Sequence, residues 1–156
     1  MSMDEFMKWR DAKTKEREGK IKAKDEATIS KFLADNKIQA QRDTSGIYYV
    51  LHSNKGGAKP TADQCVEVKY EGKFLDTGVP FDSNPKIAFS LNQVIQGWRL
   101  AIPMLGKGDS ATFYIPSALA YGPQGNYGIP PDAVLVFDVT LFDFKNTYDP
   151  TTKTCK

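Results

Sequence analysis

A chain of 156 residues, 40% hydrophobic and 26% charged, has a globular composition and is long enough for one medium domain, or one of about 100 residues with an extension. Its formal charge of +2 supplies no general field for nucleic acid or anionic lipid, so neither is an expected partner. The longest apolar run, Ala133 to Phe137, falls far short of the ~18 residues of a membrane span.

Residues 1 to about 23 are dense in Lys, Arg and Glu, with Met3, Phe6, Met7 and Trp9 as a short apolar patch, and read as a solvated helix. Its basic residues are interspersed with Asp11, Glu16 and Glu18 and have no aromatic platform beside the later lysines, which argues against a nucleic-acid arm. The opening MSMDEFMKWR lacks the apolar core of a secretory signal. As written the chain reads as cytoplasmic; a trimmed leader would instead place it in the periplasm or on a lipid anchor. A second helix is expected over Asp25–Asp35, where Ile29, Phe32 and Leu33 share one face and Asn36 is available to end it in the left-handed region. That stripe needs a partner: the rest of the chain, the first helix, or a second copy in a homodimer.

From Gly46 the period becomes extended. GIYYVLHS reads as a strand and residues 54–64, NKGGAKPTADQ, as a loop. CVEVKYEGKFL then alternates, with Val66, Val68 and Tyr70 on one face and Glu67, Lys69 and Glu71 on the other, as in a half-buried antiparallel strand. Gly78 and Pro80 suggest a turn, and KIAFSL alternates again. Val94, Ile95, Trp98, Leu100, Ala101 and Met104 fit one short helix with a buried apolar side, which Pro103 ends. SATFYIP and AVLVFDVTLFDF follow as strands, the second apolar on both faces near its middle, as a central strand is. The pattern is α+β: an antiparallel sheet with one short helix, preceded by an α-helical extension. It divides as residues 1–44, extension; 45–146, main domain; 147–156, tail.

Cys65 and Cys155 match no metal-ligand spacing, and His52 has no partner close in sequence, so neither a metal nor a cofactor is expected. The even cysteine count leaves a disulfide and two free thiols both open. GPQGNYG is followed by Pro-Pro and a strand, not by the helix a phosphate-binding loop requires. No Gly-x-Ser-x-Gly elbow is present, and Asp76, Asp82, Asp132, Asp138 and Asp143 read as solvated groups at strand ends or turns. What remains is aromatic and apolar. Among Tyr70, Phe81, Phe89, Val94, Ile95, Trp98, Tyr121, Tyr127, Ile129 and Phe137, several fall at strand ends, in the helix's first turn and in the Gly/Pro loop, where a concave pocket would want rings and packing alone would not.

At these residues the sequence resembles the FKBP-type peptidyl-prolyl cis-trans isomerases, the immunophilins that bind tacrolimus and rapamycin. The pieces that carry the resemblance are VKYEGKFLDTGVPFDS, FSLNQVIQGW, GKGDSATFYIPSALAYG and GIPPDAVLVFDVTLFDF, over about residues 66 to 144. The resemblance implies a sheet curled around the short helix, with a cleft between them. Within that cleft it implies Trp98 as floor and Tyr70, Phe81, Val94, Ile95 and Phe137 as walls, with Ile87 in a position where a phenylalanine is usual and Phe89 beside it. Asp82 and Tyr121 would supply polar contacts, the Ile95 N–H a donor, and Ile129 an overhanging loop residue. The implied activity is rotation of X-Pro bonds in proline-containing polypeptides, with Asp82, Tyr121, Phe81 and Phe137 at the reaction and macrolides as further ligands. The alternative is a non-catalytic proline-peptide binding module or chaperone using the same pocket.

Overall fold

The computed structural model describes residues 2–156. Helix α1 runs unbroken over Met3–Asp35, so the two expected helices are one. Nothing between Ile21 and Asp25 breaks a helix, and a Cβ on Gly19 would meet nothing within 4 Å, so no close packing calls for a glycine there and its cost is only the ~1 kcal/mol of backbone freedom. The start is closed by a capping box: the Glu5 N–H donates to Ser2 Oγ at 3.2 Å and the Ser2 N–H to Glu5 Oε2 at 3.1 Å. The end also differs from expectation. Asn36 keeps a negative φ of −98° and donates from its backbone and side chain to Phe32 O, while Lys37 takes the left-handed turn at φ 54°.

Strands β1 (Gln41–Arg42), β2 (Tyr48–Ser53), β3 (Cys65–Phe74), β4 (Pro80–Ser90), β5 (Ser110–Ile115) and β6 (Leu135–Lys145) form one sheet of order β1-β2-β5-β6-β3-β4. Every pairing is antiparallel. β6 lies between β5 and β3, as its two apolar faces imply. β4 begins at Pro80, earlier than the alternation of residues 86–91 suggests, because slips of register against β3 near Pro85 and Phe81 interrupt its period. Asp138 lies within β6, not at a strand end.

The inner face of the sheet closes over the short helix α2 (Gln96–Ala101). Val66, Val68, Phe113, Leu135, Phe137, Val139 and Leu141 pack there with Trp98, Ala101 and Ile102. Val94 and Ile95 precede α2 and do not belong to it, and Met104 falls in a following 3-10 turn. Leu100 points away from the core at 36% exposure, a correction to its expected burial: a helix this short has only one buried side, which Trp98 and Ala101 fill. The outer face carries α1. Ile29 and Leu33 are buried against Leu75, Tyr114 and Val136, and burial of each such side chain contributes about 1.5–3 kcal/mol. The tail forms a small hairpin, β7 (Tyr148–Asp149) with β8 (Thr154–Cys155), and Cys155 is joined to Cys65 by a disulfide. No helix among the described residues is long and apolar enough to cross a membrane.

Candidate functional site

Between the inner face and α2 lies a cleft of about 370 Å³, lined by Tyr70, Phe81, Asp82, Ile87, Phe89, Gln93, Val94, Ile95, Trp98, Tyr121 and Phe137. Six segments converge on it. β3 contributes Tyr70, and β4 sends Phe81, Asp82, Ile87 and Phe89 from the strand whose register slips re-aim its side chains. The turn before α2 brings Val94 and Ile95, α2 brings Trp98, the loop after β5 brings Tyr121, and β6 delivers Phe137.

Trp98 is fixed as the floor by three rings. Tyr70 and Phe137 meet it edge-on, with centroids at 4.9 and 5.2 Å, and Phe89 lies tilted at 5.3 Å. Such pairs add about 0.5–1.5 kcal/mol each beyond their burial. The indole N–H is buried and has no hydrogen-bond partner among the described residues. Phe81 stands edge-on to Phe137 at 5.8 Å. These two rings close over Gly72, where a Cβ would lie 2.6 Å from Phe137 and 2.8 Å from Phe81, so the cleft wall needs a residue without a side chain.

Polar groups gather at one edge. The Tyr70 hydroxyl donates to Asp82 Oδ2 at 2.6 Å. Burial first, and then this bond and the Asp82 charge, hold the Tyr70 phenol well above its ordinary pKa. Tyr121 is raised too, by burial and then by Asp82. The site therefore keeps two protonated phenols beside one carboxylate, in walls that are otherwise hydrocarbon.

Ile129, expected to overhang the cleft, does not line it. It is 9% exposed and packs into the main core, while its backbone exchanges hydrogen bonds with Asn126 and folds the loop tip into a tight bridge. Gly125, at φ 67°, lies beneath that bridge, where a Cβ would meet Ile129 O at 2.4 Å. The tip itself carries Tyr127, fully exposed. Gln93 lines the cleft without having been expected there. Its only signal was adjacency to Val94 and Ile95, because an exposed polar residue in a 3-10 turn has no periodicity to betray it. His52 lies elsewhere, bonded to the Thr112 hydroxyl at 2.7 Å, beside a separate polar groove with Lys69, Glu71 and Asp138.

A family model described as FKBP-type peptidyl-prolyl cis-trans isomerase matches residues 56–142. Over 117 residues the chain is 44% identical to a probable FKBP-type peptidyl-prolyl cis-trans isomerase FkpA of Neisseria meningitidis, an alignment covering 70% of this chain and 43% of that protein. Over 101 residues it is 41% identical to FK506-binding protein 1 of Eremothecium gossypii, covering 58% of this chain and 85% of that one. The crystal structure of FkpA from Escherichia coli is similar at a TM-score of 0.70 and 29% identity, covering 93% of this chain and 74% of that one. The chain spans about half the length of the curated FkpA relatives it matches.

Proposed function

The chain belongs to the FKBP-type peptidyl-prolyl cis-trans isomerase family, and from that premise we propose that its aromatic cleft takes the proline of a polypeptide and accelerates rotation about the preceding peptide bond. The observation that carries this reading is the floor: an indole held edge-on by Tyr70 and Phe137, with the Asp82 carboxylate at the rim. A flat apolar floor of this kind suits a pyrrolidine ring.

Rotation about an X-Pro bond must break amide resonance, a barrier of about 18–20 kcal/mol, and requires no bond to a nucleophile. A site need only favour the twisted amide over the planar one. The twisted form loses the charge separation that resonance feeds, so apolar walls penalise it less than they penalise the planar form. Each ~1.4 kcal/mol of that difference gives tenfold in rate. Trp98 and Phe137 hold the proline ring, while Asp82, Tyr121 and the Ile95 N–H orient the flanking peptide. The same contacts would accept a macrolide, in keeping with the name of the Eremothecium relative. The chain has two tryptophans, so in a Trp9→Phe chain the emission reports Trp98 alone. That emission should change on titration with a proline-containing peptide or rapamycin. An unchanged emission at concentrations that inhibit turnover would place the ligand elsewhere.

A second reading concerns the far end of α1, where Met3, Phe6, Met7 and Trp9 are exposed and Phe6 stacks on Trp9 at 6.2 Å. This patch supports a homodimer through α1, whose joined tips would grip unfolded clients as a chaperone does. Light scattering should give twice the chain mass, and Phe6→Glu with Trp9→Glu should return it to one. The disulfide supports an oxidising compartment, the periplasm rather than the cytoplasm.

A further inference from the structure

The loop that carries Tyr121 runs from Pro116, after β5, to Val134, before β6, and both of its ends are tied to helix α1. At the first end Ser117 is fully buried, and Asp25 of α1 is only 3% exposed. Ser117 donates both its N–H, at 3.0 Å, and its hydroxyl to the same carboxylate oxygen of Asp25. At the second end Arg17 of α1 meets Asp132 Oδ2 at 3.3 Å. Asp132 in turn adopts a left-handed φ of 57° and donates its N–H to Gly122 O at 2.9 Å.

Docking α1 on the sheet does not require a buried carboxylate. Ile29 and Leu33 already supply apolar contact, and taking a carboxylate out of water costs several kcal/mol unless donors satisfy it. What two donors on one oxygen add is direction: they fix the orientation of Ser117, which opens the 3-10 turn Ser117–Leu119 leading to Tyr121. The other tie returns through Asp132 to Gly122, the residue after Tyr121. Two long-range contacts from one helix therefore converge on the backbone on either side of the phenol at the rim of the cleft. Arg17 is 56% exposed, and an ion pair so placed contributes little alone. The buried tie is the stronger of the two.

We propose that Asp25 is a positioning residue of the site, holding Tyr121 and the loop that carries it in place through Ser117, with Arg17 and Asp132 as a secondary brace. The proposal rests on the isomerase reading for its effect on turnover, but its effect on the loop does not. The test uses the full chain with Asp25→Ala, Asp25→Asn, Ser117→Ala and, as a control on the same helix, Lys31→Ala. Amide hydrogen exchange reads the loop without reference to activity, and peptide isomerisation reads kcat and KM. In Asp25→Ala, exchange at Gly125, Asn126, Ile129 and Asp132 should quicken by about tenfold while β3 and β6 keep their protection. The kcat should fall by a similar factor, with KM within about twofold. Asp25→Asn keeps a carbonyl oxygen for both donors and should restore both readouts; Ser117→Ala should fall between, and Lys31→Ala should match the parent. Loop exchange unchanged in Asp25→Ala, or quickened equally across the whole sheet, would overturn the proposal. Loop exchange quickened as described in a chain that isomerises no peptide would instead uphold the brace and remove the isomerase reading.

Discussion

At the scale of single residues, Phe137 shapes the cleft, 3% exposed and packed against both Phe81 and Trp98. Phe137→Ala should lower turnover by more than tenfold and cost about 3–5 kcal/mol of stability in a denaturant melt. Tyr121→Phe removes one hydroxyl from the rim. It should lower turnover with the melt unchanged, and wild-type turnover in both variants would contradict the assignment of the site. Gly72→Ala tests the wall from behind: a methyl under the Phe81 and Phe137 rings must push one of them into the cleft, costing about 1–3 kcal/mol and weakening peptide binding. The phenols bear on pH. Tyr70, Tyr114 and Tyr121 all titrate higher in the folded chain than the ordinary tyrosine value, with burial the largest cause in each. Their contribution to stability is therefore complete below about pH 10 and is lost as pH rises towards the raised values, because the unfolded chain ionises first. Thermal melts should show that decline on the alkaline side, and Tyr70→Phe should reduce it.

At the scale of elements, alternation was enough to find β2, β3, β5 and β6, since each presents one or two apolar faces to a core. It failed where geometry replaces period. The first half of β4 hides its strand behind Pro85 and two slips of register, yet that half bears Phe81 and Asp82. Helix α1 was read as two helices because its apolar stripe starts only at Ile29, although the backbone has no reason to stop earlier; burial changes along it while the helix does not. The rings that line the cleft stood out in the sequence by their placement, whereas Asp82 and Ile87 came only with the family resemblance, since a carboxylate or an aliphatic side chain at a strand position is ordinary. Ile129 was misplaced because position in a loop does not say whether a side chain faces the cleft or the core beneath it. The ties of Asp25 to Ser117 and of Arg17 to Asp132 span 92 and 115 residues, distances over which no local pattern operates. The tail hairpin belongs to the same class. Its β8 is held to β3 by a disulfide closing 90 residues of chain, for which loop-closure entropy predicts about 4–5 kcal/mol. Reductant, or Cys155→Ser, should lower the melting midpoint by several degrees; a midpoint that stays put would mean the tail carries no stability.

At the scale of the whole molecule, the sheet is a partition. One face wraps α2 and leaves the aromatic cleft, and the other receives a helix of 33 residues, whose far end carries an exposed apolar patch and whose middle is bonded to the loop that carries Tyr121. The central claim is that this cleft lowers the barrier to proline isomerisation. The most direct measurement is the cis-to-trans relaxation of a short Leu-Pro or Phe-Pro peptide, with and without the full chain, and with rapamycin added as competitor. Acceleration that the macrolide abolishes is the predicted result. A folded chain that leaves the relaxation at its uncatalysed rate would contradict the account and leave the cleft as a binding site alone.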